Sequence, residues 1–286
     1  MTSGGTKLFA LMGDPVERSL SPAIHNAAFK ELGLDCVYVA LRVARGSLPE
    51  AVKGIKALGI GGLNVTTPHK VDIVHLLDEL DESASRVGAV NAVKNEDGKL
   101  IGFNTDGRGA VKALKEGVGE LRGRKVVLLG AGGAARAIAF SLAEAGVELT
   151  LANRTASKAR KLAASIEQKL GSKVKQVELK QEVLKGVLEQ ADVLINATSV
   201  GMYPDVDRTL VKGDIMHSGL VVNDIVYEPL TTRLLREAKD AGAQTISGLG
   251  MLTHQGAASF ELWTGKKAPI DVMRAAVRKK LREGKK

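Results

Sequence analysis

Residues 126–136 read VVLLGAGGAAR, and the rest of the chain is organised around them. Four consecutive apolar residues, Val126, Val127, Leu128 and Leu129, suit a parallel strand covered on both faces, which needs no alternation. Gly130-Ala131-Gly132-Gly133-Ala134-Ala135 then has the G-x-G-x-x-A spacing of a dinucleotide-binding turn. Gly130 permits the sharp turn, Gly132 lets the backbone approach a pyrophosphate, and small Ala135 allows close helix–strand packing. The apolar run 134–145 predicts a helix ended by Gly146, and its first N–H groups would face phosphate. A glycine triplet alone is an ordinary tight turn. Set between this strand and this helix, it predicts a Rossmann-type doubly wound unit, with Gly130, Ala131, Gly132, Gly133 and Ala134 against the cofactor.

The next predicted strand, residues 147–152, sets which cofactor. A unit that binds NAD ends this strand in Asp or Glu, about 20 residues past the glycines, to hold the ribose 2′-hydroxyl. Here it ends in Asn153-Arg154-Thr155, with no acid. The planar fork of Arg154 can pair with a 2′-phosphate, and the Thr155 hydroxyl adds a donor. The same two residues also suit a solvated charge and a helix N-cap, and both uses are compatible. The missing acid predicts NADP in preference to NAD.

With 286 residues the chain has room for two domains with separate cores. At 44% hydrophobic and 26% charged it has the composition of a globular protein, with no apolar run long enough to span a bilayer. No basic segment followed by a long apolar stretch opens it, so no secretory signal is expected. One cysteine, Cys36, excludes an internal disulfide and a cysteine-only metal site. No metal is expected, and a reducing cytoplasm is. The net charge of +9 raises the question of nucleic acid. However, the only clear basic run is the C-terminal RAAVRKKLREGKK, where cations suit a helix end, and 3% aromatics leave little to stack on bases. An anionic small-molecule substrate and NADP explain the charge as well; neither nucleic acid nor a membrane is expected as a partner.

Residues 7–12 predict a first strand, stopped by Gly13-Asp14-Pro15. Ser19-Leu20-Ser21-Pro22 then opens a helix to Leu32, with Ser21 as N-cap and Pro22 as first helical residue. Ser19 and Ser21 read either as loop residue and cap or as two hydroxyls seating a carboxylate at a helix start. Residues 37–43 predict a second strand, and Ser47-Leu48-Pro49-Glu50 has capping-box spacing before a helix ending at Leu58. Residues 62–65 predict a third strand, with Thr67 and Pro68 as N-cap and first position of another helix. Asn64, Thr66 and Lys70 would gather where that strand ends, the ligand edge of an open α/β sheet. Lys70 reads by default as a solvated lysine, yet a lysine in a helix's first turn opposes the dipole, which points to a role. His69 reads as packing or surface. Residues 88–93 and 99–103 flank a hairpin turn, Asn95-Glu96-Asp97-Gly98. Beyond it Asp106 can cap the helix 108–116 and, at a domain junction, face a ligand.

After Asn153 helix and strand alternate: helix 155–170, strand 174–179, helix 181–189, strands 192–196 and 221–226, a helix to Ala241, and strand 243–247. Gly248-Leu249-Gly250-Met251 leads into a helix carrying His254 and Gln255, and the last helices are expected to return to the first domain. Residues 1–108 with 248–286 are therefore expected to form an α/β substrate domain with a mixed sheet, and 109–247 the Rossmann-type NADP domain.

In this order the segments resemble the shikimate dehydrogenase family over nearly the whole chain. The resemblance rests on Ser19-Leu20-Ser21-Pro22 with His25-Asn26, Asn64-Val65-Thr66-Thr67-Pro68-His69-Lys70, Gly88-Ala89-Val90-Asn91 and Asn104-Thr105-Asp106-Gly107. It continues through the glycine turn, Asn153-Arg154-Thr155, Asn196-Ala197-Thr198, Asp224-Ile225-Val226-Tyr227 and Gly248-Leu249-Gly250-Met251 to Gln255. Thr67 departs from it, the family commonly having an aliphatic residue there, which touches local packing only. The resemblance implies a reversible step of aromatic amino-acid (chorismate) biosynthesis, NADPH plus 3-dehydroshikimate giving shikimate and NADP. It implies that Ser19, Ser21 and Tyr227 bind the ring carboxylate and that Asn64, Thr66, Asn91, Asp106 and Gln255 bind the ring hydroxyls. Lys70 and Asp106 would be the catalytic pair, with Thr198, Ile225, Gly248 and Met251 against the cofactor beside Asn153, Arg154 and Thr155. The chemistry agrees, since hydride transfer to a carbonyl needs a proton for the developing alkoxide and a group to orient its donor. Quinate/shikimate dehydrogenases that accept NAD share this frame, but the acid that would favour one is absent. A non-catalytic NADP sensor would not need Lys70 and Asp106. The expected assembly is a monomer or homodimer.

Overall fold

Four apolar residues, Phe9, Ala10, Leu11 and Met12, commit the first strand to the interior, and all four are buried in β1 (Lys7–Gly13). In this computed structural model, which describes residues 3–283, α1 (Ser21–Glu31) crosses over to β2 (Cys36–Arg42), and α2 (Leu48–Ala57) to β3 (Gly62–Val65). Both β2 and β3 run parallel to β1. Then follow β4 (Glu79–Leu80), α3 (Glu82–Val87) and the hairpin of β5 (Ala92–Glu96) and β6 (Lys99–Phe103). They complete a mixed sheet ordered β2-β1-β3-β5-β6-β4, antiparallel where β5 meets β3 and β6. Asp97 at φ 51° and Gly98 at φ 91° give the hairpin the left-handed turn that two-residue loops require. Ala10, Met12, Leu63, Val65, Val93 and Leu100 of this sheet form one core cluster with Val52 and Ile55 of α2.

α4 (Asp106–Val118) leads to a second sheet: β7 (Lys125–Leu129), α5 (Gly133–Glu144), β8 (Glu148–Asn153), α6 (Ala156–Leu170), β9 (Lys175–Glu178), α7 (Gln181–Leu188), β10 (Val193–Asn196), β11 (Val221–Asp224), α8 (Arg233–Asp240) and β12 (Gln244–Ile246). Its order is β12-β11-β10-β7-β8-β9 and every neighbouring pair is parallel. The chain winds outward from β7 to β9 and returns to β10 beside β7, which creates the switch point where such sheets bind ligands. All of β10 and the last four residues of β7 are buried, the latter as the unbroken apolar run 126–129 predicts. α9 (Leu249–Thr264) follows, and α10 (Ile270–Glu283) packs on α1. By their contacts the residues divide into one unit that runs to Asp106 and resumes at Thr253, and a second unit, Gly107–Leu252. Residues 284–286 of the basic C-terminal run, and residues 1 and 2, lie outside the described residues.

Four local expectations fail, each for a visible reason. No α-helix starts at Thr67-Pro68: residues 66–71 form a turn containing a cis Thr67–Pro68 peptide, and a 3-10 helix follows over Asp72–Leu76. The Lys70 carbonyl accepts from Val90 N at 2.7 Å, so a tertiary bond takes the acceptor that a helix would need. Lys70 therefore stands in no helix dipole, and that argument for its role lapses. Ser21 is the first residue of α1 rather than its cap; Leu20 holds the cap position with no side-chain bond. Ser47 occupies the N-cap position of α2 but makes no cap hydrogen bond, so the capping box does not form. Thr155 likewise sits at the N-cap of α6 without capping it. Between Pro68 and Gly88, where the sequence predicts only a helix start, Asp81 caps α3 by accepting from Ala84 N at 2.8 Å.

Candidate active site

The site of the first unit follows from strand register. β1 and β3 are parallel, so the loops that leave their carboxyl ends meet: Asp14 N donates to Thr67 O at 2.9 Å. β5 runs antiparallel to β3 and β6, which brings Asn91, just before β5, beside the ends of both; Val65 N donates to Asn91 O and Asn91 N to Phe103 O. Asn64, Asn91 and Asp106, far apart in sequence, thus share one edge.

On that edge Lys70 Nζ lies 2.5 Å from Asp106 Oδ2, with side chains 17% and 6% exposed. The lysine keeps a face open while the carboxylate is enclosed. Asn91 Nδ2 donates to Asp106 Oδ1 at 2.8 Å and to Thr105 Oγ1 at 2.9 Å. Asn91 Oδ1 accepts from Thr105 N at 2.6 Å, which sets the amide's orientation. Both carboxylate oxygens of Asp106 are thereby placed, one by the ammonium and one by an amide. Gln255 Oε1 stands 3.4 Å from Asn91 Nδ2. Asn64 is buried; its Nδ2 donates to Asn91 O and Ser259 Oγ, and its Oδ1 accepts from Tyr38 OH at 2.8 Å. Only a second lone pair on Oδ1 is left for a further donor. Thr66 is half-buried between Asn64 and Lys70 in chain order, and its N–H donates to Met12 O. Ser19 and Ser21 form a pair at the head of α1, where Ser21 N donates to Ser19 Oγ at 3.2 Å. His69 is buried packing, its Nε2 2.7 Å from Val43 O.

In the second unit the glycine turn leaves β7 at the switch point. Gly130 has φ 115°, and a Cβ there would lie 3.0 Å from Ala197 O, so no other residue fits without displacing the turn after β10. Gly132 is exposed, a Cβ on it would meet nothing within 4 Å, and α5 starts beside it with no side-chain cap. Gly133 and Ala134, which open α5, and Ala131 before them are half-buried. This cradle fits a pyrophosphate. At the end of β8, Asn153 Nδ2 donates to Thr155 O at 2.9 Å. Arg154 is exposed and makes no hydrogen bond or ion pair among the described residues; Thr155 keeps its hydroxyl uncommitted. The first turn of α6 holds no acid and one lysine, Lys158. Such a donor set fits a 2′-phosphate. Thr198, Ile225 and Gly248 belong to this unit, at the turns after β10, β11 and β12, as do Met251 in the first turn of α9 and the half-buried Tyr227.

Three family descriptions match the chain: shikimate dehydrogenase substrate binding domain over residues 11–93, shikimate / quinate 5-dehydrogenase over 112–218, and shikimate 5′-dehydrogenase C-terminal domain over 248–278. The shikimate dehydrogenase (NADP(+)) of Methanopyrus kandleri is 53% identical over 280 residues, 97% of each chain. The chain belongs to the shikimate dehydrogenase family. A crystal structure of a shikimate dehydrogenase in complex with NADP+ matches at TM-score 0.94 and 48% identity, covering 98% of each chain. That of the Thermus thermophilus shikimate 5-dehydrogenase with NADP(H) and shikimate matches at TM-score 0.87 and 39% identity, over 96% of this chain and 99% of the other.

Within this member of the shikimate dehydrogenase family, three side chains outside the sequence-predicted set join the Asn64–Asn91 network. They are Thr105, Tyr38 and Ser259, whose Oγ also donates to Gln255 O at 3.0 Å. Ser259 was open to prediction, because it stands one helical turn after Gln255 on the same face. Tyr38 was not, since nothing local links a residue of β2 to the end of β3.

Proposed function

We propose that this chain is an NADP-dependent shikimate dehydrogenase that reversibly reduces 3-dehydroshikimate to shikimate, with Lys70 and Asp106 as its reacting pair. The observation that carries the residue assignment is the Lys70–Asp106 contact, held from behind by Asn91 at a strand-end edge. NADPH supplies the hydride to the carbonyl carbon. The chain's part is the proton and the geometry. The Lys70 ammonium stabilises the developing alkoxide and delivers a proton to it; in the oxidation direction its neutral amine takes the hydroxyl proton. Asp106 aims the ammonium and accepts from a ring hydroxyl, and Asn91 keeps the carboxylate from rotating away. Thr66, Asn64, Asn91 and Gln255 line the ring hydroxyls, and Ser19, Ser21 and Tyr227 take the ring carboxylate. Unit Gly107–Leu252 carries NADP: the Gly130–Ala134 turn on the pyrophosphate, Asn153, Arg154 and Thr155 on the adenosine 2′-phosphate, and Thr198, Ile225, Gly248 and Met251 along the rest. Tyr227 apart, the residues proposed for the ring belong to the other unit.

The reading places the enzyme in the cytoplasm, as a monomer or homodimer. One free cysteine, and no helix among the described residues long and apolar enough to cross a membrane, agree with the compartment. A steady-state assay of shikimate and quinate, each against NADP and NAD, tests the whole. Shikimate with NADP should give the highest kcat/KM; a preference for quinate with NAD would replace the reading with that of a quinate dehydrogenase.

A further inference from the structure

Among the described residues only two carboxylates are buried, Asp106 and Asp224, and the reaction uses only the first. Asp224 ends β11 with no exposed surface. Its Oδ1 accepts from Asn196 Nδ2 and from Val226 N, each at 3.0 Å, and its Oδ2 accepts from Thr232 Oγ1 at 2.6 Å. Burial raises its pKa to about 6 against the pull of these three donors. A carboxyl kept in so costly a place is explained by what no neutral side chain offers: acceptor sites for three separate segments at once.

The donors stand on different segments. Asn196 ends β10, and its Oδ1 accepts from Thr198 N at 3.1 Å and Thr198 Oγ1 at 2.7 Å; Thr198 Oγ1 in turn accepts from Val200 N at 3.2 Å. Val226 lies in the turn after β11. Thr232 opens α8, where its Oγ1 also accepts from Leu235 N. Both turns press on glycines of the same rim, since a Cβ would meet Ala197 O at 3.0 Å from Gly130 and Val226 O at 2.7 Å from Gly248. A satisfied buried network of this kind rigidifies what it joins.

We infer that Asp224 is a positioning residue that clamps the turns after β10 and β11 and the start of α8 into one rim, holding Thr198 and Ile225 ready for NADP. The inference rests on the NADP reading above, but one of its readouts does not need the cofactor. Asp224→Ala and Asp224→Asn are compared with wild type by calorimetric titration with NADP+ and by amide hydrogen exchange of the free protein. Asp224→Ala should bind NADP+ about tenfold more weakly, the equivalent of one charge-assisted hydrogen bond, and exchange faster over both 196–202 and 225–232. Asp224→Asn should fall between wild type and Asp224→Ala, because its single amide oxygen can still accept from Val226 and Asn196 but leaves the Thr232 hydroxyl without an acceptor. An Asp224→Ala protein with wild-type affinity, or with unchanged exchange in the two turns, overturns the inference. Should Asp224→Ala not fold, Thr232→Val decides, since it removes one donor at nearly constant shape: faster exchange over 225–232 with weaker NADP+ binding supports the clamp, and a change in fewer than both overturns it. If wild type itself fails to bind NADP+, the NADP reading falls, and the exchange comparison still tests the clamp.

Discussion

If Lys70 and Asp106 are the reacting pair proposed above, their 2.5 Å contact makes them one unit. An ammonium at 2.5 Å from an enclosed carboxylate has its charge matched and its direction set, while part of its surface stays exposed. Lys70→Met keeps much of the stem packing and removes the proton, so kcat should fall by about 10²–10⁴ with a much smaller change in KM. Asp106→Asn should slow turnover as well, since an amide does not anchor the ammonium by charge, and the double mutant should be little worse than the worse single. Normal turnover in Lys70→Met would make Lys70 an ordinary lysine. A second residue sets an acid limit on stability. His25 stacks on Tyr38 at 4.4 Å, neither ring nitrogen has a hydrogen-bond partner, and burial pulls its pKa from 6.5 down to about 3, with the nearby Asn64 amide only partly opposing. Its folded value is depressed, so the stability it permits is whole above 6.5 and is lost as pH falls toward 3. Relative to His25→Leu, wild type should lose about 2 kcal/mol between pH 7 and pH 5, read from urea midpoints; parallel pH profiles would show that the ring protonates freely in the fold.

Helix ends and helix crossings carry the next scale. Ser47 stands where a cap belongs and makes no cap bond, so Ser47→Ala should cost well under the ~1 kcal/mol of a working N-cap. A full loss in thermal unfolding would mean that the bond forms in solution. α4 and α5 meet backbone to backbone at Gly107, where a Cβ would collide with Ser141 Oγ and lie 2.5 Å from Ala137 O. Gly107→Ala should therefore destabilise by about 1–3 kcal/mol through overpacking, and an unchanged denaturant midpoint would show that the helices part without cost. The small residues at this crossing have a second consequence. Gly107 directly follows Asp106, so the close contact that seats α4 also fixes the chain next to that buried carboxylate.

For the whole molecule, cofactor binding and stability are one quantity. A ligand held only by the folded chain stabilises it, by about 2.7 kcal/mol at a hundredfold excess over Kd, so saturating NADP+ should raise the melting temperature. Arg154→Ala should lose most of that rise with NADP+ and keep what NAD+ provides; equal losses with both would show that Arg154 does not read the 2′-phosphate. At this scale the α/β architecture was legible in the sequence, because its signals are local. The unbroken apolar run of β7, the glycine turn between β7 and α5, and the Asp97-Gly98 hairpin each depend on residues within one element and its next turn. The same chain misleads wherever a backbone group has a distant partner. Thr67-Pro68 reads as a helix start, yet the Lys70 carbonyl is taken by Val90, and no local pattern announces that bond. Ser21, Ser47 and Thr155 read as caps, yet none makes the cap bond, since a hydroxyl near a helix start names a possibility that the surrounding packing selects or declines. The meeting of Asn64, Asn91 and Asp106, and the tie from Asp224 to Asn196 and Thr232, belong wholly to tertiary structure. Residue type and spacing determine which groups can bond; which of them are neighbours follows from strand order and register, and those are settled only when the sheets assemble.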